Sequence, residues 1–137
     1  ANRTDQWLSV SLDKPSYSVG DTMRVTVRLE RPGYLILVSE DSSGKPSIMY
    51  PYRSSAPRTP EGEHIFPDRE GIRYIVNKGS TNTVIAVLLK EETDYRTLLS
   101  LLEGARSVEI NIQFDELLKS WVDKELCSIR YCVIPYK

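Results

Sequence analysis

Few residues in this chain combine a reactive type with a useful spacing. The one histidine, His64, follows Glu63 in GEHIFP, and two cysteines, Cys127 and Cys132, stand in ELCSIRYCVIPYK. An imidazole works as a general base only with a proton donor in hydrogen-bond reach. No G-x-S-x-G elbow is present to supply one. Members of a triad meet in space rather than in sequence, so the fold must decide whether His64 has a partner. From the sequence, a surface or strand-edge histidine is the stronger reading. In one strand, Cys127 and Cys132 would lie about 16 Å apart at ~3.3 Å per residue, on opposite faces. A disulfide needs roughly 4.4–6.8 Å between Cα atoms. Bridging the two would take a bulge or a turn at SIRY, which offers no Gly, Pro, Asn or Asp. Two unpaired thiols are the leading expectation, and a Cys127–Cys132 disulfide the lesser one.

Phosphate and metal chemistry find little support. EDSSGKP (40–46) holds a Gly-Lys pair but lacks the upstream glycine and the following Ser or Thr of a phosphate loop. Its density of turn formers reads as a chain reversal. No G-x-G-x-x-G occurs. Two cysteines and one histidine fall short of a four-ligand zinc site. Glu91, Glu92 and Asp94 do not follow the spaced pattern of a calcium loop and suit a helix start instead. The expectation is no cofactor, no metal and no catalytic residue, so the chain is read as not an enzyme.

One cluster points to contact rather than catalysis. Tyr50, Tyr52 and Arg53 open a proline-rich stretch, PYRSSAPRTPEGE, that also carries Arg58. Tyr and Arg are enriched at binding hot spots. These four are the candidate partner-contact residues. The plainer alternative is that Tyr50 closes one end of a core.

The totals bound the partner. The chain has 137 residues and a net charge of −1, from 18 basic and 19 acidic side chains. The length suits a single domain, 1–137. Near-neutral, dispersed charge argues against a nucleic-acid partner. No apolar run reaches the ~20 residues of a membrane helix, so no membrane insertion is expected. The polar opening ANRTDQW does not read as a signal peptide. Oligomeric state is left open.

The elements that must position these residues are mostly strands. WLSVSL (7–12) and TMRVTVRLE (22–30) alternate apolar and polar, as half-buried strands do. YLILVS (34–39) and TVIAVLLK (83–90) are apolar throughout, which suits central strands. SIMY (47–50), HIF (64–66), IRYIV (72–76), SVEINI (107–112) and LCSIRYCVI (126–134) complete the set, with a turn at NKGSTN (77–82). Tyr95, Leu98, Leu99 and Leu102 fall on one helix face, and Phe114, Leu117, Leu118 and Trp121 on another. Thr93 or Asp94 is placed to cap the first helix and Gly104 to end it in a left-handed conformation. Short strands divided by turn clusters predict a mainly β protein, a β-sandwich with two short amphipathic helices covering an edge or end.

Four signatures add a resemblance. Tyr17, Gly20 and Asp21 form Y-x-x-G-D; Gly33, Tyr34 and Leu35 form G-Y-L; Asp41 and Gly44 form D-x-x-G; Tyr50 and Pro51 form Y-P. Together they resemble a bacterial domain of unknown function found beside caspase-like peptidase domains, next to kinases and in cell-envelope proteins. NTVIAVLLKEETDYRTLLSLL looks like that family's closing strand and helix. The resemblance implies an immunoglobulin-like fold and an accessory or recognition module that binds a protein partner in the periplasm or cell envelope. It supplies no catalytic residue. A regulatory or substrate-recognition domain of an enzyme, and a tether for a neighbouring domain, are the alternatives.

Overall fold

The alternating and apolar runs become strands, and their apolar positions sort into two cores. A computed structural model describes residues 7–77, 83–104 and 108–137, the side chains of 108–115 excepted. In chain order the elements are β1 (Leu8–Leu12), β2 (Thr22–Met23), β3 (Val25–Leu29), β4 (Tyr34–Glu40), β5 (Pro46–Tyr50), β6 (Gly62–Phe66), β7 (Tyr74–Ile75), β8 (Thr83–Leu89), α1 (Glu92–Gly104), α2 (Val108–Asp123) and β9 (Cys127–Val133). All strand pairings among them are antiparallel. One sheet has the order β1-β3-β6 and another β5-β4-β8-β9, with β2 and β7 as a short ribbon.

The first core lies between the two larger sheets. Leu8, Val25, Val27, Leu29 and Phe66 meet Leu35, Leu37, Val84, Ala86 and Leu88 there. The residues between these on β4 and β8 point the other way. Ile36, Val38, Ile85, Val87 and Leu89 form the second core with Tyr95, Leu98, Leu99, Leu102 and Leu118. This is why β4 and β8 read as unbroken apolar runs: each is covered on both faces. The helices therefore cover a face of the four-stranded sheet, not an edge or end as expected. The apolar outer face of β4 and β8 demands that cover.

Other expectations shift. The strand expected over 22–30 divides at Arg24, whose N–H and C=O bond to Asp13 while Met23 turns to β7. The strand expected at 107–112 is helical from Val108, the first described residue of that stretch. Val108 and Ile112, like Ile110 and Phe114, are four apart, so these apolar positions fit both periods. No Gly or Pro separates them from Leu117, Leu118 and Trp121, and the helix runs through. Helix α1 is capped by Glu91, whose carbonyl accepts from Tyr95 N–H, not by Thr93 or Asp94. Gly104 ends α1 without a positive φ. The left-handed stop is Glu125, at φ 58, after α2. There Leu126 N–H bonds Trp121 C=O and Glu125 N–H bonds Val122 C=O, a paired closure of the helix end. The NKGSTN turn lies outside the described residues beyond Asn77.

Candidate functional site

The proline-rich stretch after β5 has no ladder of its own, yet it is tied down along its length. At its start Pro51 is buried, and the Tyr52 hydroxyl donates to Asp68 Oδ1 at 2.6 Å while accepting from Asp68 N–H at 2.8 Å. In the middle Ala56 N–H donates to the Tyr95 hydroxyl of α1 at 3.0 Å. At its end Thr59 and Gly33 exchange two backbone hydrogen bonds, 2.7 and 3.0 Å. The loop thus runs from the chain just after β6 to the turn just before β4. Between the ties, Arg53, Ser54, Ser55, Pro57 and Arg58 are exposed.

Two hollows flank it. One, about 360 Å³, is lined by Tyr50, Tyr52, Arg53, Asp68 and Arg69 beside the loop backbone. The other, about 290 Å³, is lined by Tyr34, Arg58, Glu92, Tyr95 and Arg96. Both share Ser55, Ala56 and Pro57. The aromatic walls are ordered by contact. Tyr50 meets Tyr52 edge-on at 5.3 Å and leans on Phe66 at 4.6 Å. Tyr34 stacks on Tyr95 at 5.2 Å. The Arg69 guanidinium sits 6.0 Å above the Tyr52 ring. Burial, then the Asp68 carboxylate that accepts its proton, push the Tyr52 phenol up to about 12. Burial also raises Tyr50 and Tyr95. All three rings are therefore neutral at ordinary pH.

The predicted contact residues separate by role. Tyr50 packs against the first core and is mainly structural. Tyr52 and Arg53 line the first hollow and Arg58 the second. Sequence reasoning missed Asp68, Arg69, Glu92 and Arg96. They come from other segments, and no local pattern marks them.

The reactive residues are not gathered. His64 lies on β6, an edge strand, with Nε2 2.7 Å from the Pro60 carbonyl. A carbonyl only accepts, so Nε2 carries the proton. Cys127 and Cys132 are both free thiols. Cys127 is buried in the second core and Cys132 packs on the first, so a single strand carries them on opposite faces as the spacing required. Burial, with Asp94 adding to it, pushes the Cys127 thiol up to about 12. Among the described residues no group of three or more His, Cys, Asp or Glu is placed to hold a metal ion. Among them, too, no helix is long and apolar enough to cross a membrane.

The signature residues are absorbed by the scaffold. Tyr17 is fully buried and donates to Asp13. Gly20 sits at φ 94 and its N–H reaches Val76 C=O, while the Asp21 carboxylate accepts from Ser18 N–H. A Cβ on Gly33 would lie 2.8 Å from Leu88 Cδ1 and 2.9 Å from Leu89 O. Asp41 closes the β4–β5 turn by accepting from Ser43 and Lys45 N–H, and Gly44 takes φ 83. The Gly-Lys pair is thus part of a hairpin turn. A family model described as a domain of unknown function (DUF4384) matches residues 16–92, from just before Tyr17 to the first residue of α1. The rest of α1, all of α2 and β9 lie beyond the match. Comparison with curated proteins gave no match, and comparison with solved structures gave none.

Proposed function

This chain belongs to the family described as domain of unknown function DUF4384, and on that premise we propose that it is a non-enzymatic recognition module of immunoglobulin-like fold that binds a protein partner in a bacterial cell envelope. The strand order supports the fold. Sheets β1-β3-β6 and β5-β4-β8-β9 correspond to strands A-B-E and C′-C-F-G of an immunoglobulin-type sandwich. The two helices are then an insertion between the last two strands. The observation that carries the function is the anchored loop. The other signature residues are consumed by turns and core, whereas the stretch after Tyr50-Pro51 is held at three places and presents Arg53 and Arg58 to solvent. A preorganised loop binds with less ordering cost than a free one. The non-enzymatic reading is supported by a histidine committed to a backbone carbonyl and by thiols embedded in two cores.

The test is capture from cells of the source with three baits: wild type, Arg53→Glu/Arg58→Glu, and Arg24→Glu/Arg28→Glu, just before and on β3 of the other sheet. The reading expects one partner retained by the first and third baits and lost from the second. A partner retained equally by all three, or none at all, contradicts it.

A further inference from the structure

Charge around the loop is unevenly answered. The two hollows are lined by four guanidiniums, Arg53, Arg58, Arg69 and Arg96, against two carboxylates, Asp68 and Glu92. That is a surplus of two positive charges on a chain whose total is −1. Both carboxylates are already engaged. Asp68 accepts from Tyr52, and Glu92 pairs with Arg96 at 2.8 Å and accepts from Tyr34. Arg53, Arg58 and Arg69 have no carboxylate partner among the described residues. Exposed arginines not paired with a carboxylate, beside ordered tyrosine rings, are suited to receive one: the guanidinium fork takes a carboxylate in two parallel hydrogen bonds.

The spacing constrains the occupant further. Arg53 and Arg58 are five residues apart along the loop, a span of at most ~18 Å. They open into different hollows that share Ser55–Pro57 as a saddle. A single small anion fills one hollow only. An extended segment of five or six residues crosses the saddle and reaches both.

We propose that the partner presents an extended acidic segment, with carboxylate side chains at both ends, that lies across Ser55–Pro57 and pairs with Arg53 and Arg69 on one side and Arg58 on the other. This deepens the binding-face reading above and rests on it. Carboxylates are favoured over a nucleic-acid backbone because the rest of the chain is net acidic and would repel a long polyanion.

The test is fluorescence anisotropy on the intact chain with labelled eight-residue probes: one alternating Glu and Ser, its Gln-for-Glu counterpart, and a single-stranded oligonucleotide of equal length. The Glu probe is expected to bind at least tenfold more tightly than the Gln probe. Raising NaCl from about 50 to 500 mM should weaken it by a further tenfold or more, since exposed pairs are screened. Arg53→Ala/Arg58→Ala/Arg69→Ala should abolish the preference. Arg24→Ala/Arg28→Ala/Lys124→Ala, which removes the same charge elsewhere, should keep it. Equal binding of the Glu and Gln probes, equal loss in both triple variants, or tighter binding of the oligonucleotide overturns the proposal. A partner captured through the face at high salt, with no Glu preference, sinks this inference and leaves the binding-module reading standing. Glu-specific binding with no captured partner overturns the protein-partner reading and leaves only the carboxylate preference of the face standing.

Discussion

Gly33→Ala should destabilise the protein by about 2–3 kcal/mol, although it adds one methyl group. Gly33 does not hold a positive φ, so backbone strain is not the cause. The cause is space. The new Cβ would stand 2.8 Å from Leu88 Cδ1 and 2.9 Å from Leu89 O, against an optimum near 3.5–4.0 Å for such atoms. Leu88 is 1% exposed and sits in the first core, so its side chain cannot swing aside freely. Leu89 lies opposite Tyr34 in the β4–β8 ladder, so its carbonyl moves only with the sheet. Overpacking of this kind costs about 1–3 kcal/mol, and moving a carbonyl as well as a side chain places Gly33→Ala in the upper half. At ~3–4 °C per kcal/mol for this chain length, the midpoint should fall by roughly 6–12 °C. The assay is urea unfolding with Leu88→Ala as second site. Leu88→Ala alone should cost about 2–5 kcal/mol. The double variant should cost less than the sum, since one of the two clashes is gone. Amide exchange should also quicken at Thr59, whose bond to Gly33 anchors the proline-rich loop. A Gly33→Ala variant within ~0.5 kcal/mol of wild type, the ordinary range for neutral surface changes, or strict additivity with Leu88→Ala, would refute the reasoning.

Further outcomes follow from the same geometry. Glu125→Gly should stabilise the fold by about 1 kcal/mol, because a left-handed non-glycine residue costs roughly 1–2 kcal/mol and the unfolded chain returns part of that gain; chemical denaturation measures it, and a loss of stability would count against the α2 closure. Thiol titration should find two free thiols per chain in denaturant, with Cys127 unreactive in the native protein; a single pair released only by reductant would contradict the strand geometry. Burial raises the Tyr17, Tyr52 and Tyr74 phenols, Tyr17 and Tyr52 to about 12. A raised phenol makes the folded state hold its proton longer than the unfolded state. Its stabilisation is complete below the ordinary value of ~10 and fades as pH climbs from there toward 12. Urea midpoints should therefore fall across that window, and all eight tyrosines titrating together near 10 in the folded protein would disprove it.

Most strands were legible because alternation and apolar runs follow directly from the faces they bury. Val25, Val27 and Leu29 alternate because one face of β3 meets the core, and β4 and β8 do not alternate because two cores flank them. The helical cover was less legible. Val108 to Ile112 satisfies both periods, and only its continuity with the following helix decides between them. Residues 50–58 have the Tyr- and Arg-bearing composition expected of a contact surface. The shape of the two hollows was not written there, since Asp68, Arg69, Tyr34, Glu92 and Arg96 reach them from three other segments. The family signatures were legible as a pattern, yet their physical meaning needed contacts: a close approach at Gly33, a buried tyrosine at 17, a closed turn at Asp41.

The central claim is that the proline-rich loop is where a protein partner sits. Site-specific photocrosslinking in the native host tests it most directly, with the photoreactive residue placed at 53, at 58, or at 28 on the opposite sheet. The account predicts one discrete protein adduct from 53 and from 58, the same partner in both, and none from 28. An adduct from 28 alone, or none from any position in cells where the chain is abundant and folded, would contradict it.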